Sequence, residues 1–376
     1  MSGSPSLTVL HLVSNRWWTG SAEPALRLVS ALRDRGHRAL LAIIPGERFE
    51  QKAREAGIEP VSGLALDVGF RPLRLLAGLA RLRSLVRSEG VDVIHCHHSH
   101  DHWLGGLGRG GAALVRTFHN ARAVRSGWPS SALYRRTDAA IAVSREIEER
   151  CLRAGFPPAR LHRVAGVVEV ARFRGTGDGA AVRKEFGIAA GPVLGSVARL
   201  APNRGHELLI QGFRLLLPRH PGARLLLVGK GEARPRLEAL VRELGLTERV
   251  LFTGYRDADL PDVLQAVDVF VLMGAGSDES CRAALEAMAA GRPVVARRVG
   301  ALPDTVVDGV TGLLVEGEEP DAVAAALHTL LTEPSLAQRM GRSGRRRVEE
   351  IFSPERHAET IEAVYRAALA GRTPVA

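Results

Sequence analysis

Short apolar runs separated by amphipathic segments extend along the whole 376-residue chain. Apolar runs bounded by turn residues are typical of buried strands, whereas apolar positions about three to four residues apart are typical of helices. Strands that alternate with helices indicate an α/β protein with parallel sheets. The predicted strands are 7–13, 38–44, 91–94, 114–118 and 139–143 in the first half, and 193–197, 224–228, 250–254, 269–273 and 293–296 in the second.

Two amphipathic helices stand out in the first half, at 23–35 and 73–86. The second has arginines on one side, and core packing of a crossover helix is its default interpretation. Contact with a membrane interface is the alternative. A last helix is predicted to begin at Pro354 with Ser353 as its cap. The apolar side of the helix at 73–86 carries Leu75, Leu76, Leu79, Leu82, Leu85 and Val86.

The chain divides into two halves of similar β/α rhythm at a glycine-rich stretch, 173–179. This break predicts an N-terminal domain of residues 1–172 and a C-terminal domain of residues 173–352. Residues 353–376 form a terminal helical segment in this division.

Composition narrows the class of protein. Apolar content of 45% and charged content of 24% are those of a soluble globular protein. Three scattered cysteines, without a pairing pattern or zinc-ligand spacing, suit a reducing cytoplasm. The sequence shows no signal-peptide pattern and no apolar stretch of membrane-spanning length. We therefore expect a cytoplasmic protein.

The net charge of +10 indicates an anionic partner. Nucleic acid, an anionic membrane face and phosphate-bearing substrates would each fit, and the alternative is a solvated face. Aromatic and basic residues are not interleaved and no nucleic-acid motif occurs, so we expect no nucleic-acid partner. Arginines cluster at 71–87, 116–136 and 339–347, and the last cluster is most simply a solvated helix.

The stretch 269–300 reads as a strand, a loop, a helix and a second strand. The helix is predicted over 281–290, because Gly291 suits its C-terminus and Pro293 blocks its continuation. In an open parallel sheet, the loop that leaves the carboxyl end of a strand lines the ligand crevice. This loop is therefore the first candidate for a functional site.

Acidic residues gather at the start of this helix. Ser280 is a candidate N-cap, and Asp278 and Glu279 lie near the positive end of the helix dipole. Glu286, one to two turns further on, can reach toward the same crevice. The alternative is a simple surface pair between Arg282 and Glu286, worth a few tenths of a kcal/mol.

Asp278 and Glu286, followed by EAMAAGRPVVA, resemble a signature of retaining glycosyltransferases with two Rossmann-like domains, in particular glycosyltransferase family four. That signature is a carboxylate and a glutamate with seven residues between them. The family usually has glutamate first, and Glu279 is adjacent to Asp278 but one residue too close. The resemblance implies that Glu286 and Ser280 contribute to donor binding, with Glu286 holding the ribose hydroxyls. It also implies that Asp278 or Glu279 orients the donor sugar.

Other motifs of the second half match the same family in order. Arg199 and Arg204 stand where the family holds the donor diphosphate with an arginine and a lysine. Arginine in place of lysine keeps the cation but changes the geometry. Gly229 corresponds to the family's glycine loop, and Tyr255 and Arg256 follow the strand whose loop contacts the base.

The first half matches more loosely. Gly20 lies in the first strand–helix loop, where the family's backbone amides approach a phosphate, and His119 follows a strand whose histidine sits beside the donor sugar. An ordinary turn glycine and a core histidine are the respective alternatives. The histidine-rich segment 95–102 offers potential metal ligands, but no metal-binding spacing is defined, so we expect a strand end that lines the cleft and no metal.

The resemblance implies an α/β fold of the GT-B type, with two Rossmann-like domains facing a cleft and the C-terminal helix crossing back to the N-terminal domain. It implies a hexosyl-type transferase that moves a sugar from a nucleotide-diphosphate sugar to a hydroxyl with retention, without cofactor or metal. We expect a lipid-linked or cell-envelope acceptor and peripheral contact with the inner face of an anionic membrane. A nucleotide-sugar epimerase and a non-catalytic basic binding protein are the alternatives.

Overall fold

The structure is a computed structural model that describes residues 5–15, 22–67, 72–175, 177–275 and 281–371. The described residues form two compact units. The first comprises those within Met1–Gly166 and Pro354–Ala376, and the second those within Val167–Gly276 and Ser280–Ser353. Each unit is built around its own six-stranded sheet, in which every described pair of neighbouring strands is parallel. The predicted α/β fold with two Rossmann-like domains is confirmed.

The sheet of the first unit has the order β2-β1-β3-β4-β5-β6, and that of the second has the order β12-β11-β10-β7-β8-β9. The first sheet contains β1 (Thr8–Val13), β2 (Arg38–Ile43), β3 (Val93–Cys96), β4 (Ala113–Phe118), β5 (Ala139–Ala142) and β6 (Leu161–Arg163). The second contains β7 (Val193–Val197), β8 (Arg224–Val228), β9 (Val250–Gly254), β10 (Val269–Leu272), β11 (Val294–Arg297) and β12 (Gly312–Val315).

Helices cover both faces of each sheet, as parallel strands require. The helices of the first unit are α1 (Ala22–Asp34), α2 (Arg48–Glu55), α3 (Pro72–Ser88), α4 (Ser99–Gly108), α5 (Ser130–Arg135), α6 (Arg145–Arg153) and α16 (Pro354–Ala370). Those of the second are α7 (Val170–Phe173), α8 (Gly179–Glu185), α9 (His206–Leu216), α10 (Arg234–Glu243), α11 (Leu260–Ala266), α12 (Arg282–Ala289), α13 (Leu302–Thr305), α14 (Pro320–Thr332) and α15 (Pro334–Ile351).

The C-terminal helix α16 belongs to the first unit, as the resemblance implied. Its residues Ile361, Val364 and Tyr365 are buried in the same apolar core as strand β1 and helix α1. Glu362 on the same helix accepts hydrogen bonds from Arg35 and Arg366. Apolar burial and charged hydrogen bonds therefore both attach this helix to the first sheet.

Each strand order reverses at one point. In the first unit β1 lies between β2 and β3, so the chain turns back between β1 and β3. In the second unit the turning point lies between β7 and β10. Ligands of open α/β sheets bind outside the carboxyl ends of the strands at such switch points. The loops after β1 and β3, and after β7 and β10, are therefore the positions to examine for a site.

Helix α3 exposes more apolar surface than its pattern predicted. Leu82, Leu85 and Val86 are buried against α4, in agreement with the prediction. Leu76 was expected on the same side, but its side chain is 63% exposed, and Leu73 is 81% exposed. The prediction for Leu76 was wrong, because the N-terminal part of the helix extends beyond the residues that cover its other end.

Two details of the second unit also differ from the predictions. The N-cap of α12 is Cys281, with a left-handed φ of 52°, rather than Ser280. The arginines of the basic helix α15 are not all solvated. Arg345 donates to the carbonyl of Ala289 at the end of α12, and Arg347 donates to Thr305 at the end of α13. Cations at helix C-termini satisfy carbonyls that have no partner within the helix.

Candidate functional site

Arg199 lies at the switch point of the second unit, two residues after β7. A glycine is required next to this loop: Gly229 has a φ of 143°, and a Cβ there would lie 2.0 Å from the carbonyl oxygen of Ala198. Arg199 pairs with Glu232 at 3.0 Å, and their side chains are 67% and 56% exposed. An exposed pair of this kind adds little stability, so an anionic ligand can replace Glu232 as the partner of the Arg199 guanidinium.

Arg204 is oriented by the neighbouring loop at the same switch point. It ends a 3-10 turn, Pro202–Arg204, and Gly205 follows with a φ of 70°. The guanidinium donates to the carbonyl of Ala275 after β10. A Cβ on Gly274 would lie 2.8 Å from the Cα of Arg204, so glycine permits this contact between loops. The loops after β7 and β10 therefore pack together and hold Arg204.

The electrostatics of this switch point favour an anion. The 11-residue helix α9 begins directly after Gly205, and its first backbone N–H groups and its dipole attract negative charge. Arg199, Arg204 and Lys230 add three cations to the same group of loops. A hydrogen bond from its own backbone N–H and a second from Arg199 lower the pKa of Glu232. The arrangement can hold a phosphate or diphosphate.

His206, the first residue of α9, is a feature that the sequence interpretation missed. Its side chain is buried, and neither ring nitrogen has a hydrogen-bond partner in the described structure. Burial, and then the charge of Arg204, lower its pKa to about 4. The imidazole is therefore neutral at physiological pH, and the position beside Arg204 was the available signal.

Glu286 is the fifth residue of α12, and it is buried. Its Oε1 lies 3.3 Å from Nε of Arg282, one turn earlier on the helix. The pair that formed the alternative interpretation is therefore present. A buried carboxylate is unusual unless it has partners, and its role toward the ribose stays a prediction.

Tyr255 and Arg256 follow β9 but have different surroundings. Tyr255 is 53% exposed, and Nζ of Lys230 lies 5.3 Å from the centre of its ring. The guanidinium of Arg256 contacts Glu185 and lies 2.6 Å from Asp259. These hydrogen bonds, that of Glu185 first, raise the pKa of Arg256. Tyr255 therefore keeps about half of its surface exposed, whereas Arg256 is bound within its own unit.

Among the described residues, the first unit places histidines at its switch point. His11 on β1 and His95 on β3 are partners across the two strands. His97 follows β3 and His119 follows β4. Nδ1 of His11 lies 3.2 Å from Nε2 of His97, and Nδ1 of His97 lies 3.1 Å from Nε2 of His119. The sequence interpretation found His97 and His119 but missed His11, since only the strand pairing brings it to them.

Other polar groups hold these rings in place. His95 stacks on His97 with ring centres 4.3 Å apart, and its own nitrogens lie 2.7 Å from the hydroxyls of Tyr365 and Thr117. The buried carboxylate of Asp101 accepts a hydrogen bond from the backbone N–H of His97 at 3.1 Å. The loop after β3 is thereby fixed from the helix that follows it and from the C-terminal helix.

Burial lowers the pKa of His11 to about 3 and lowers the pKa values of His97 and His119 well below the ordinary 6.5. These rings are neutral at physiological pH. One ring nitrogen from each of His11, His95 and His97 lies within 4.8 Å of the other two, so these three nitrogens are close enough to share a metal ion. Both nitrogens of His95 and of His97 are already hydrogen-bonded, however, so a metal would have to displace these bonds.

Several predicted residues lie outside the described part of the chain: Gly20, Asp278, Glu279 and Ser280. Their roles stay predictions. Among the predicted residues that the structure does describe, it brings Arg199, Arg204 and Gly229 together at one switch point.

Comparisons with known proteins identify the family and the fold. Residues 180–347 match the family described as "Glycosyl transferases group 1", and residues 18–172 match "Glycosyltransferase Family 4". The fold is similar to that of the Anabaena protein HepE, solved in complex with UDP and glucose. The TM-score is 0.80 at 21% identity, with 96% of this chain and 99% of that chain covered.

Several curated relatives exceed 30% identity to this chain. A GDP-mannose-dependent alpha-(1-6)-phosphatidylinositol monomannoside mannosyltransferase of Mycolicibacterium smegmatis is 33% identical over 282 residues, 73% of this chain and 68% of that protein. A D-inositol 3-phosphate glycosyltransferase of Acidothermus cellulolyticus is 32% identical over 332 residues, 80% of this chain and 72% of that protein. The chain therefore belongs to glycosyltransferase family four, within the group 1 glycosyltransferases, and is a glycosyltransferase.

Proposed function

We propose that this protein transfers a sugar, with retention at the anomeric carbon, from a nucleotide-diphosphate sugar to a hydroxyl of a lipid-linked or cell-envelope acceptor. The observation that carries the donor class is the cationic switch point of the second unit. There Arg199, Arg204 and the N-terminus of α9 converge on loops held close by glycines. A diphosphate gains charge as the glycosidic bond breaks, and fixed cations and N–H groups stabilise that charge.

The remaining roles are part of the same proposal. Glu286 accepts hydrogen bonds from the ribose hydroxyls, and Tyr255 offers a partly exposed ring to the base. His119 orients the sugar, together with Asp278 or Glu279. Ser280 and the backbone amides of Gly20 complete the donor contacts. The leaving diphosphate accepts the proton of the acceptor hydroxyl, so no side chain is required as a general base, and we assign no side chain as a nucleophile.

GDP-mannose is the first donor to test, because the M. smegmatis relative is named for its dependence on it. UDP-sugars come second, since HepE was solved with UDP. Family membership favours transfer over the epimerase and over the non-catalytic binding protein. An epimerase would convert the donor without an acceptor, which provides a direct discrimination.

An anionic membrane surface is the proposed location of the acceptor. In the described residues no helix is long and apolar enough to cross a membrane. Helices α3 and α4 expose Leu73, Leu76 and Leu107 at 81%, 63% and 48%. Arg74, with 62% of its side chain exposed, and Arg81 stand among these leucines. Apolar groups that insert and arginines that meet anionic headgroups are the two components of interfacial binding.

The donor proposal is tested by a thermal-shift and hydrolysis screen against GDP-, UDP-, ADP- and CMP-sugars, without and then with a divalent metal. We expect one nucleotide sugar to raise the melting temperature and to be slowly hydrolysed to the nucleoside diphosphate. If no nucleotide sugar stabilises the fold, the roles of Arg199, Arg204 and Glu286 fail together.

The membrane proposal is tested by flotation with vesicles of neutral and of anionic lipid. Leu73→Asp with Leu76→Asp should abolish flotation with anionic vesicles and leave hydrolysis of the soluble donor unchanged. Leu215→Asp, on an exposed leucine of the second unit, is the matched control. Equal flotation of all variants, or none by the wild type, contradicts the membrane surface.

A further inference from the structure

Three histidines of the first unit form a continuous line of hydrogen bonds, which we call the histidine array: His11, His97 and His119. The nitrogen–nitrogen distances are 3.2 Å and 3.1 Å. The exposed fraction rises along the line from 0% through 3% to 7%. The array therefore runs from the fully buried His11 on β1 to His119 after β4, and His119 is its least buried member.

The array can exist in only two hydrogen-bonding states. A neutral imidazole has one N–H donor and one acceptor nitrogen. The rings are neutral because burial lowers their pKa values. His97 uses both nitrogens on other histidines, so it must donate through one and accept through the other. The proton position on one ring thus fixes the positions on the other two.

The free end of the array selects the direction. Nε2 of His11 is buried and has no hydrogen-bond partner in the described structure. In one direction this nitrogen keeps a bare lone pair, and in the other it carries an unpaired N–H. Orphaned N–H groups are the rarer of the two in protein interiors. His11 Nδ1 therefore donates to His97 Nε2, and His97 Nδ1 donates to His119 Nε2.

We propose that His11 and His97 are positioning residues that hold His119 as the neutral tautomer protonated on Nδ1, the nitrogen outside the array, where it donates to a sugar hydroxyl. This inference rests on the proposed contact between His119 and the donor sugar. A neutral donor holds the hydroxyl without placing a cation beside an anomeric carbon that becomes positive as the bond breaks. The contacts of His95 and Asp101 keep the middle ring in register for this task.

The tautomer is measured directly by proton–nitrogen correlation NMR on the full chain with ¹⁵N-labelled histidine. His11→Gln, His97→Asn and His119→Gln assign the signals. We expect Nδ1–H on all three rings at neutral pH, with no imidazolium. Protonation on Nε2 of His119, a mixture of tautomers, or a charged ring overturns the proposal. This measurement needs no variant to remain active.

Kinetics then separate positioning from mere stability. His97→Leu breaks both bonds of the array and should lower kcat by roughly fivefold to tenfold, the worth of one net hydrogen bond, with the donor KM nearly unchanged. His97→Asn puts an amide nitrogen in the place of Nδ1 and should restore most of kcat and the Nδ1–H signal of His119. His102→Leu is the matched control, since His102 is equally buried and bonds to Thr137 outside the array.

The outcomes distinguish this inference from the proposed function. If His97→Leu and His102→Leu have equal kcat values and the same His119 tautomer, the array is only structural and the inference fails, while donor transfer stands. If His119→Ala keeps full turnover with a donor that the wild type uses, the sugar contact and the inference fail, although the arginine site stands. If no donor binds the wild type, the proposed function itself fails.

Discussion

The two sheets of this protein obey one topological rule but have opposite chemistry at their switch points. In the second unit the loops carry the exposed Arg199, the half-buried Arg204, close glycine contacts and the start of a helix. In the first unit the strand ends carry buried, neutral histidines that bond to one another. The second arrangement carries exposed positive charge at Arg199, whereas in the first the rings of His95 and His97 use both of their nitrogens in hydrogen bonds.

From this difference we infer that the backbone topology sets where a ligand can lie. The side chains then set which part of a ligand, charged or uncharged, can bind there. Charged groups remain partly solvated in the second unit, so they can exchange water or Glu232 for phosphate oxygens. In the first unit the histidine rings are removed from water and held in fixed orientations by hydrogen bonds, which suits an uncharged sugar. This comparison predicts that substitutions in the second unit act mainly on donor affinity, whereas those in the first act on turnover or stability.

The largest effect is expected from Arg204→Ala. The lost guanidinium removes charge-assisted hydrogen bonds worth about 1.5–3 kcal/mol, so kcat/KM for the donor should fall about 100-fold. Arg356→Ala, which removes one exposed cation from α16, controls for net charge and should change it less than about twofold. Steady-state kinetics at two salt concentrations measure both variants. Equal kinetics for the two would show that the cationic switch point does not hold the donor.

Glu286→Gln should raise the donor KM by about 30-fold, because the ribose hydroxyls lose a charged acceptor. Arg282→Ala removes only the neighbour that lies 3.3 Å away on the helix and should change KM by less than about threefold. Isothermal titration with the donor, or with the nucleoside diphosphate alone, measures both. If Glu286→Gln binds the donor as the wild type does, the carboxylate serves only its pair with Arg282.

Sequence alone predicted the sheets well, because central strands such as β5, β8 and β10 are buried along nearly their whole length and read as continuous apolar runs. The strands at 193–197, 224–228 and 250–254 have the predicted bounds, and α16 begins at Pro354 as expected. The resemblance to the family located Arg199, two residues after β7, and Gly229, directly after β8. Contacts close in sequence were therefore predictable.

Contacts distant in sequence were not. His11 joins His97 only through the pairing of β1 with β3, which no local pattern encodes. Arg256 has the expected position, but Glu185, distant in sequence, binds its guanidinium. Leu76 has the helical phase of the buried leucines, yet its side chain is 63% exposed in the described structure. Periodicity predicts which face of a helix is apolar, but not how much of that face is covered by neighbouring elements.

Glu362→Gln tests the first unit through stability. Burial acts to raise the pKa of Glu362, but hydrogen bonds from Arg35, Arg366 and His37 outweigh it and lower the pKa from 4.5 to about 2. A lowered pKa stabilises the fold fully above about pH 4.5, and this contribution is lost as the pH falls toward 2. The variant should lose about 2 kcal/mol at pH 7. Urea titrations at pH 7 and pH 3 measure the difference.

Glu359→Gln is the matched control on the same helix, since Glu359 forms only an exposed pair with Arg356. It should change stability by less than about 0.5 kcal/mol. The difference in unfolding free energy between the wild type and Glu362→Gln should be smaller at pH 3 than at pH 7. At pH 3 the wild-type Glu362 begins to be protonated and loses its charged hydrogen bonds. A gap that is independent of pH would mean that packing, and not charge, attaches α16.

The smallest effect is expected from Tyr365→Phe. This variant separates a contribution of the histidines to kcat from a contribution to stability alone. The change removes the hydroxyl that lies 2.7 Å from Nδ1 of His95 and keeps the buried ring. One lost hydrogen bond should cost about 1 kcal/mol of unfolding free energy. Tyr134→Phe is the control, because its hydroxyl accepts from the backbone of Arg125 and does not contact the array.

Thermal unfolding should give similar melting temperatures for Tyr365→Phe and Tyr134→Phe. The kcat values should separate them: His95 stacks on His97, so a loosened His95 lowers kcat modestly in Tyr365→Phe and leaves Tyr134→Phe unchanged. Equal kcat values would confine the role of Tyr365 to attaching the C-terminal helix.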